Sequence, residues 1–216
     1  MLSNGWPSFA QIGEDRILHF LFTRNGIDNP TYIDIGANEP VKGSNTYAFY
    51  LSGSKGICVE PDPYLFRKLR KKRPRDICLN VGIGLDESDA ADFYCFPRFF
   101  SGYNTFSKEE ADYRTAQGQP YKEVLRIPLR NVNRIIEEQL GSAPHLMSID
   151  VEGLDLEILR SLDFARHAPM VLVVETIRFG DTDAARKQQD IIDFVLSRGY
   201  SVYADTHVNT IFLKNS

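Results

Sequence analysis

The sequence predicts an α/β fold: a doubly wound, mostly parallel sheet of seven strands with an antiparallel C-terminal strand, in one domain covering 1–216. Three observations predict it. Apolar runs alternate with amphipathic stretches as β-α-β-α-β, an inserted segment, then β-α-β-α-β-β, and such alternation builds a parallel sheet covered on both faces. Four of the strand runs carry an acid at or near their carboxyl ends: Asp34, Glu60, Asp150 and Glu175. The last two runs, 200–205 and 208–213, are joined through Thr206-His207, too short for a crossover, so they pair antiparallel.

Taken in order, residues 9–25 read as an amphipathic helix with Ile17, Leu18 and Leu21 on one face, started near Ser8 and ended by Asn25-Gly26. The first strand, 31–35, stops at Gly36. Residues 44–52 form the next helix, capped by Ser44 or Asn45. Gly56 to Glu60 is a second buried strand, and Pro61-Asp62-Pro63 opens a helix with proline where a first turn accepts it. That helix carries a basic run through Arg73, read as a solvated face because Leu65, Phe66 and Leu69 point inward. Strands follow at 76–81 and 91–96.

Residues 97–122 break the pattern. They are aromatic, glycine-bearing and aperiodic, which marks a binding loop or lid, and 98–107 are expected to cover an acceptor. With strand-like 123–129 they make an inserted lid and acceptor segment of about 97–129. A helix at 131–140 ends at Gly141. The fourth main strand, 145–150, turns through Val151-Glu152-Gly153 into a helix with Leu154, Ile158, Leu159 and Leu162 on one face. Met170 to Glu175 is the most apolar strand and is expected at the centre. A long helix at 183–198 ends at Gly199.

Composition narrows the classes. Hydrophobic residues at 43% and charged residues at 25% support a normal core. A net charge of −4 makes no electrostatic case for nucleic acid. No apolar run approaches the roughly 18 residues of a membrane span, and no signal peptide is evident. The three cysteines, Cys58, Cys78 and Cys95, are too scattered for a disulfide framework or zinc site. They read as core thiols of a reducing compartment, so a cytoplasmic location is expected.

The turn after the first strand decides among ligands. From Gly36 the chain reads G-A-N-E-P-V-K-G. A dinucleotide turn requires G-x-G-x-x-G, but Asn38 and Val41 stand where its second and third glycines belong. No G-K-[ST] follows, so a P-loop is excluded as well. S-adenosylmethionine (SAM) has no phosphate to cradle and tolerates a single-glycine turn. Glu60, at the end of the second strand, suits two ribose hydroxyls. Asp34 suits either the turn or a methionine ammonium.

Four segments carry a family resemblance: Ile33-Asp34-Ile35-Gly36-Ala37-Asn38, Ser44-Asn45-Thr46, Val59-Glu60-Pro61-Asp62-Pro63, and Ser148-Ile149-Asp150-Val151-Glu152-Gly153-Leu154-Asp155. In order and spacing they resemble the FkbM-type methyltransferases over roughly residues 8–213. The resemblance implies a Rossmann-like class I methyltransferase fold, with its last strand slotted in antiparallel beside the fifth. It implies SAM as cofactor and O-methylation of a sugar, glycan or polyketide-type hydroxyl. It assigns Gly36 and Asn38 to the methionine-side turn, Glu60 to the ribose, and Val81 and Gly82 to the adenine edge, with Ala37 and Pro61 also among the cofactor-binding residues. The sequence departs from the common G-A-N-x-G at Pro40.

A hydroxyl acceptor needs a base, and Asp150 and His207 are the candidates. Asp150 also borders the cofactor. A divalent metal such as Mg²⁺ is the alternative, with Asp150, Glu152 and Glu175 as hard oxygen ligands. Two other readings compete: an inactive binding module that keeps the fold, and a dinucleotide oxidoreductase, which the glycine pattern disfavours.

Overall fold

The computed structural model describes residues 7–85, 88–178 and 186–215. Its strands are β1 (Tyr32–Ile35), β2 (Gly56–Val59), β3 (Ile77–Leu79), β4 (Gly82–Ile83), β5 (Ala90–Cys95), β6 (Glu123–Arg130), β7 (Leu146–Ile149), β8 (Val171–Glu175), β9 (Ile177–Arg178), β10 (Arg186–Lys187), β11 (Tyr200–Asp205) and β12 (Asn209–Lys214). Its helices are α1 (Glu14–Arg24), α2 (Tyr47–Leu51), α3 (Pro63–Lys72), α4 (Lys108–Ala116), α5 (Val132–Gln139), α6 (Asp155–Ser161), α7 (Phe164–His167) and α8 (Gln189–Ser197), with a 3-10 stretch over Arg98–Tyr103.

The main sheet has seven strands in the order β11-β12-β8-β7-β1-β2-β3. Strand β12 lies antiparallel between β8 and β11, and the β8-β7-β1-β2-β3 pairs are parallel. This is the expected class I topology. The chain order reverses at β1, which pairs β2 on one side and β7 on the other. Ligands bind at such a switch point, outside the carboxyl ends of the strands. The order makes β7 the central strand. The more apolar β8 sits beside it, fully buried over Val171–Val174.

Strand alternation sorts the core into two layers. Ile33, Ile35, Met147, Ile149 and Val174 face α5, α6 and α8. Tyr32, Leu146, Val171, Val173 and Ile211 face α1 and α2, where Leu18, Leu21, Phe22 and Phe49 meet them. Each layer is held by burial of apolar area, at about 25 cal/mol per Å² removed from water.

Several local expectations change. Helix α1 begins at Glu14, and Ser8 does not cap it: the Ser8 hydroxyl and the Phe9 N–H both donate to Asp15, at 2.7 Å each. Helix α2 begins at Tyr47, whose N–H donates to the Ser44 hydroxyl at 3.1 Å. The segment after β5 is ordered as the 3-10 stretch and α4. Strand β6 joins β5 and β4 in a separate three-stranded sheet. The long helix expected over 183–198 begins at Gln189, after β10; residues 183–185 lie outside the described part.

Arg73 is the largest correction. It belongs to no solvated face, because its side chain is wholly buried. Its guanidinium donates to Asp76 at 2.7 Å, to the Tyr32 hydroxyl at 3.0 Å and to Thr46 at 2.9 Å, and lies 3.9 Å from Asp34. The rings of Tyr32 and Tyr50 lie 5.5 Å from it. Two carboxylates and two aromatic faces offset the cost of burying that charge.

Cys58 and Cys78, far apart in sequence, stand opposite each other on β2 and β3 with hydrogen-bonded thiols. All three cysteines are free. Among the described residues no helix is long and apolar enough to cross a membrane.

Candidate active site

The turn after β1 meets the turn after β7. Gly36 has φ 80°, and a Cβ there would sit 1.8 Å from the Asp150 carbonyl oxygen, so only glycine fits. The Gly36 and Ala37 N–H groups both donate to the Val59 carbonyl at 3.1 Å, which turns the chain sharply across the end of β2. Asn38 follows at φ 46°.

Glu60 closes the same edge and is 4% exposed. Its two oxygens accept the N–H groups of Asn38 at 2.7 Å and Asp62 at 2.8 Å, so one carboxylate ties two turns together. Burial pushes its pKa up to about 8, against the pull of those two donors. The Pro61 carbonyl accepts from the Asn80 amide at 2.7 Å. Val81 packs against the main core, and Gly82 lies against the Phe106 ring, where a Cβ would come within 2.4 Å of its tip.

Asp34 is buried and engaged. It accepts the Thr46 hydroxyl at 2.5 Å and a hydrogen bond from Ser148, and it lies beside Arg73. Register explains the Ser148 contact, since Asp34 and Ser148 are partners across β1 and β7. Burial still raises its pKa above the usual carboxylate range.

A second group of acids gathers where β7 and β8 end. Ligand atoms of Asp150, Glu152 and Glu175 lie within 4.8 Å of one another. Burial, with the charges of Asp155 and Asp34, pushes Asp150 up to about 7, while a hydrogen bond with Glu175 opposes the shift. Burial and the carboxyls of Asp150, Glu152 and Asp155 push Glu175 up to about 11. Near neutral pH Glu175 therefore keeps its proton and donates it to Asp150, which is the readier of the two to ionise. Glu152 has φ 53° and Gly153 φ 100°, a left-handed turn. Two groups from the inserted segment hold it. The buried Thr105 hydroxyl donates to the Glu152 carbonyl at 2.8 Å, and Arg114 lies 3.6 Å from the Glu152 carboxylate and 2.8 Å from that of Glu110.

Gly36, Asn38, Glu60, Pro61, Asp150, Glu152 and Glu175 line one cleft. Asp34 and Ala37 line a lobe that shares Gly36, Asn38 and Asp150 with it. His207 is not brought there: it is exposed on the β11–β12 turn at φ 75°, its N–H held by Asp205 at 2.7 Å. The chemistry available is general-base catalysis at Asp150 beside a proton held on Glu175.

Sequence reasoning missed three contributors, Gln11, Leu65 and Phe93. Gln11 reaches the cleft from the N-terminal segment. That segment is anchored by buried Glu14, which accepts from Thr206 at 2.7 Å and from the Ile12 N–H and Asn209 amide at 2.9 Å each. Leu65 and Phe93, with Phe106 from the expected lid, give the cleft an apolar wall. No local pattern marks Gln11, Leu65 or Phe93 as cleft residues. An acid at the first turn of an otherwise apolar-faced helix, Glu14, was the one available signal.

A family model for the methyltransferase FkbM domain matches residues 34–202. No curated protein matches the chain. Among solved structures it is similar to a putative RNA methyltransferase from Pyrococcus horikoshii, with 13% identity, covering 99% of this chain and 91% of that chain at a TM-score of 0.47. It is similar to an O-methyltransferase from Bacillus cereus in complex with S-adenosylhomocysteine, with 11% identity, 96% and 84% coverage and a TM-score of 0.48. A third is the 1,6-didemethyltoxoflavin-N1-methyltransferase of Burkholderia thailandensis, with 8% identity, 94% and 77% coverage and a TM-score of 0.47.

Proposed function

The chain belongs to the FkbM methyltransferase family, and from that premise we propose that it transfers the methyl group of SAM to a hydroxyl of a small polar acceptor, a sugar, glycan or polyketide-type molecule, with Asp150 as the base. The observation that carries this reading is the meeting of two kinds of residue in one cleft. The Gly36 turn and Glu60 border it on one side, and Asp150, hydrogen-bonded to Glu175, borders it on the other.

The residues present fit SAM. Gly36, lacking a Cβ, lets the β1 turn close against the Asp150 carbonyl and form one border of the cleft. Glu60 has lone pairs left for two ribose hydroxyls beyond the two backbone bonds it already accepts. Leu65, Phe93 and Phe106 supply apolar faces for a flat base, with Gly82 behind the Phe106 ring. When bound, the cofactor supplies an electrophilic methyl on sulfur.

The chain's own residues do the rest. Asp150, near 7 in pKa, takes the acceptor's hydroxyl proton as the oxygen attacks. Glu175 keeps its own proton and holds the Asp150 carboxylate by a hydrogen bond. Residues 98–107 act as a lid over the acceptor, with Ser101, Gly102, Asn104 and Phe106 on the cleft side, and exclude water from the reacting atoms. A polar side lobe lined by Ser107, Glu110, Arg114 and Gln188 shares Glu152 and Glu175 with the cleft and suits a polyhydroxylated acceptor.

Asp150→Asn tests the base. Methyl transfer is expected to fall about 10²- to 10⁴-fold while SAM still binds. Unchanged turnover would remove Asp150 from the mechanism. The spacing of Asp150, Glu152 and Glu175 favours a second reading, in which Mg²⁺ bound there lowers the acceptor's pKa. Full turnover in EDTA eliminates it.

A further inference from the structure

The lobe on the Asp34 side of the cleft contains a buried acceptor with no donor. Asn45 lines this lobe and is 8% exposed. Its Nδ2 donates to the Ser148 hydroxyl at 3.1 Å, and Ser148 in turn donates to Asp34. That relay fixes which end of the amide points where. Ser148 has given its proton to Asp34, so it can only accept from Asn45, and the N–H end of Asn45 must face it. Oδ1 is left on the other side. Among the described residues it has no partner, and it is closed to water.

A buried carbonyl without a donor is costly, and few native structures keep one unless something completes it. Asp34 does not share this need, because Thr46, Ser148 and Arg73 already occupy it. The ammonium that the sequence directs to Asp34 therefore finds its free acceptor one residue layer away. The lobe's electrostatics agree: Asp34 and Asp150 line it, and its one basic residue, Lys42, stands exposed at the rim. Glu60 lies on the other side of the Gly36 turn, so a nucleoside there leaves the lobe for the opposite end of the molecule.

We propose that Asn45 is the specificity residue for the amino-acid end of the cofactor, its Oδ1 accepting a hydrogen bond from the α-ammonium. The assignment rests on the reading of this cleft as a SAM site. It makes the chain discriminate SAM and S-adenosylhomocysteine from analogues without the ammonium.

Calorimetric binding of two ligands tests it: S-adenosylhomocysteine, and the same molecule with hydrogen in place of the ammonium. The wild-type chain should prefer the first by roughly 10- to 100-fold, as expected for a hydrogen bond to a charged group. Asn45→Leu should reduce that preference to within about threefold and leave the Kd of the ammonium-free ligand near wild type. Asn45→Asp keeps an acceptor and should keep the preference, which guards against misreading a folding defect in the leucine variant. If Asn45→Leu retains the full preference while S-adenosylhomocysteine binds, Asn45 is not the ammonium's partner and the SAM reading stands. If the wild-type chain binds neither ligand, the SAM reading fails and this assignment with it.

Discussion

Glu60 shows how one residue carries both structure and chemistry. Its oxygens hold the Asn38 and Asp62 turns, so shortening it should both loosen the edge and remove the ribose acceptor. Glu60→Ala is expected to weaken SAM binding by about 2–3 kcal/mol, the range for charge-assisted bonds, and an unchanged Kd would refute the ribose assignment. The pH dependence has a definite sign. Burial raises the folded pKa from 4.5 to about 8, so between these values the folded chain keeps a proton that the unfolded chain has lost. The unliganded protein is thus expected to lose stability as pH rises through that window. Asp150, raised to about 7, acts in the same direction. Ribose hydroxyls donate to the ionised carboxylate, so SAM affinity should rise with pH over the same range. Proton release measured by calorimetry in two buffers checks this, and Glu60→Gln should abolish it.

Among the elements, the inserted segment is more than a cover. The Thr105 backbone pairs with Tyr94 at 2.8 and 3.2 Å, and its hydroxyl reaches the Glu152 carbonyl. It therefore couples the segment to the left-handed turn that follows Asp150. Strain in such a turn persists only where neighbours over-determine it. Thr105→Val keeps the shape and removes the bond. It is expected to lower kcat by about tenfold or more, because small misplacements at a reacting centre are costly, with SAM Kd within about twofold. Thr105→Ser should restore the rate. Equal loss of kcat in valine and serine variants would show that the hydroxyl does not act through the turn. The tip of the segment behaves differently: Phe99 is 92% exposed, and among the described residues its ring meets only that of its neighbour Phe100.

At the scale of the molecule, the buried Arg73 network is the keystone between β1, α2 and α3. It joins Asp34, Thr46, Tyr32 and Asp76. Replacing both charges of such a pair by apolar groups is often tolerated, but removing one partner strands the other. Arg73→Met is expected to destabilise the fold by about 3–5 kcal/mol, read as a lowered urea midpoint. A change under about 1 kcal/mol, the range of an exposed pair, would mean that the network is solvated in solution. The network also explains why Asp34 serves the scaffold: its carboxylate is used to neutralise Arg73, which leaves ligand recognition to Asn45.

By itself the sequence determined the α/β class, the strand order's antiparallel ending and the Gly36-to-Glu60 edge. These follow from signals that are local: a two-residue link between strands, a glycine that the turn requires, and acids at the ends of apolar runs. Only the tertiary structure decided what each acid does. Asp34 and Glu60 look alike in sequence, yet strand alternation points the first at Arg73 and leaves the second at the cleft. Asp150 and Glu175 are adjacent because β7 and β8 are paired, and the burial, the hydrogen bond between them and the Asp150 charge that raises Glu175 arise from that packing. His207 and Gln11 exchanged places for the same reason. A turn at the sheet's edge carries its side chain to solvent, whereas an N-terminal segment pinned by buried Glu14 reaches the cleft from far along the chain. Burial and proximity are properties of the packed chain, and they, more than residue type, determine the chemistry of a carboxyl group.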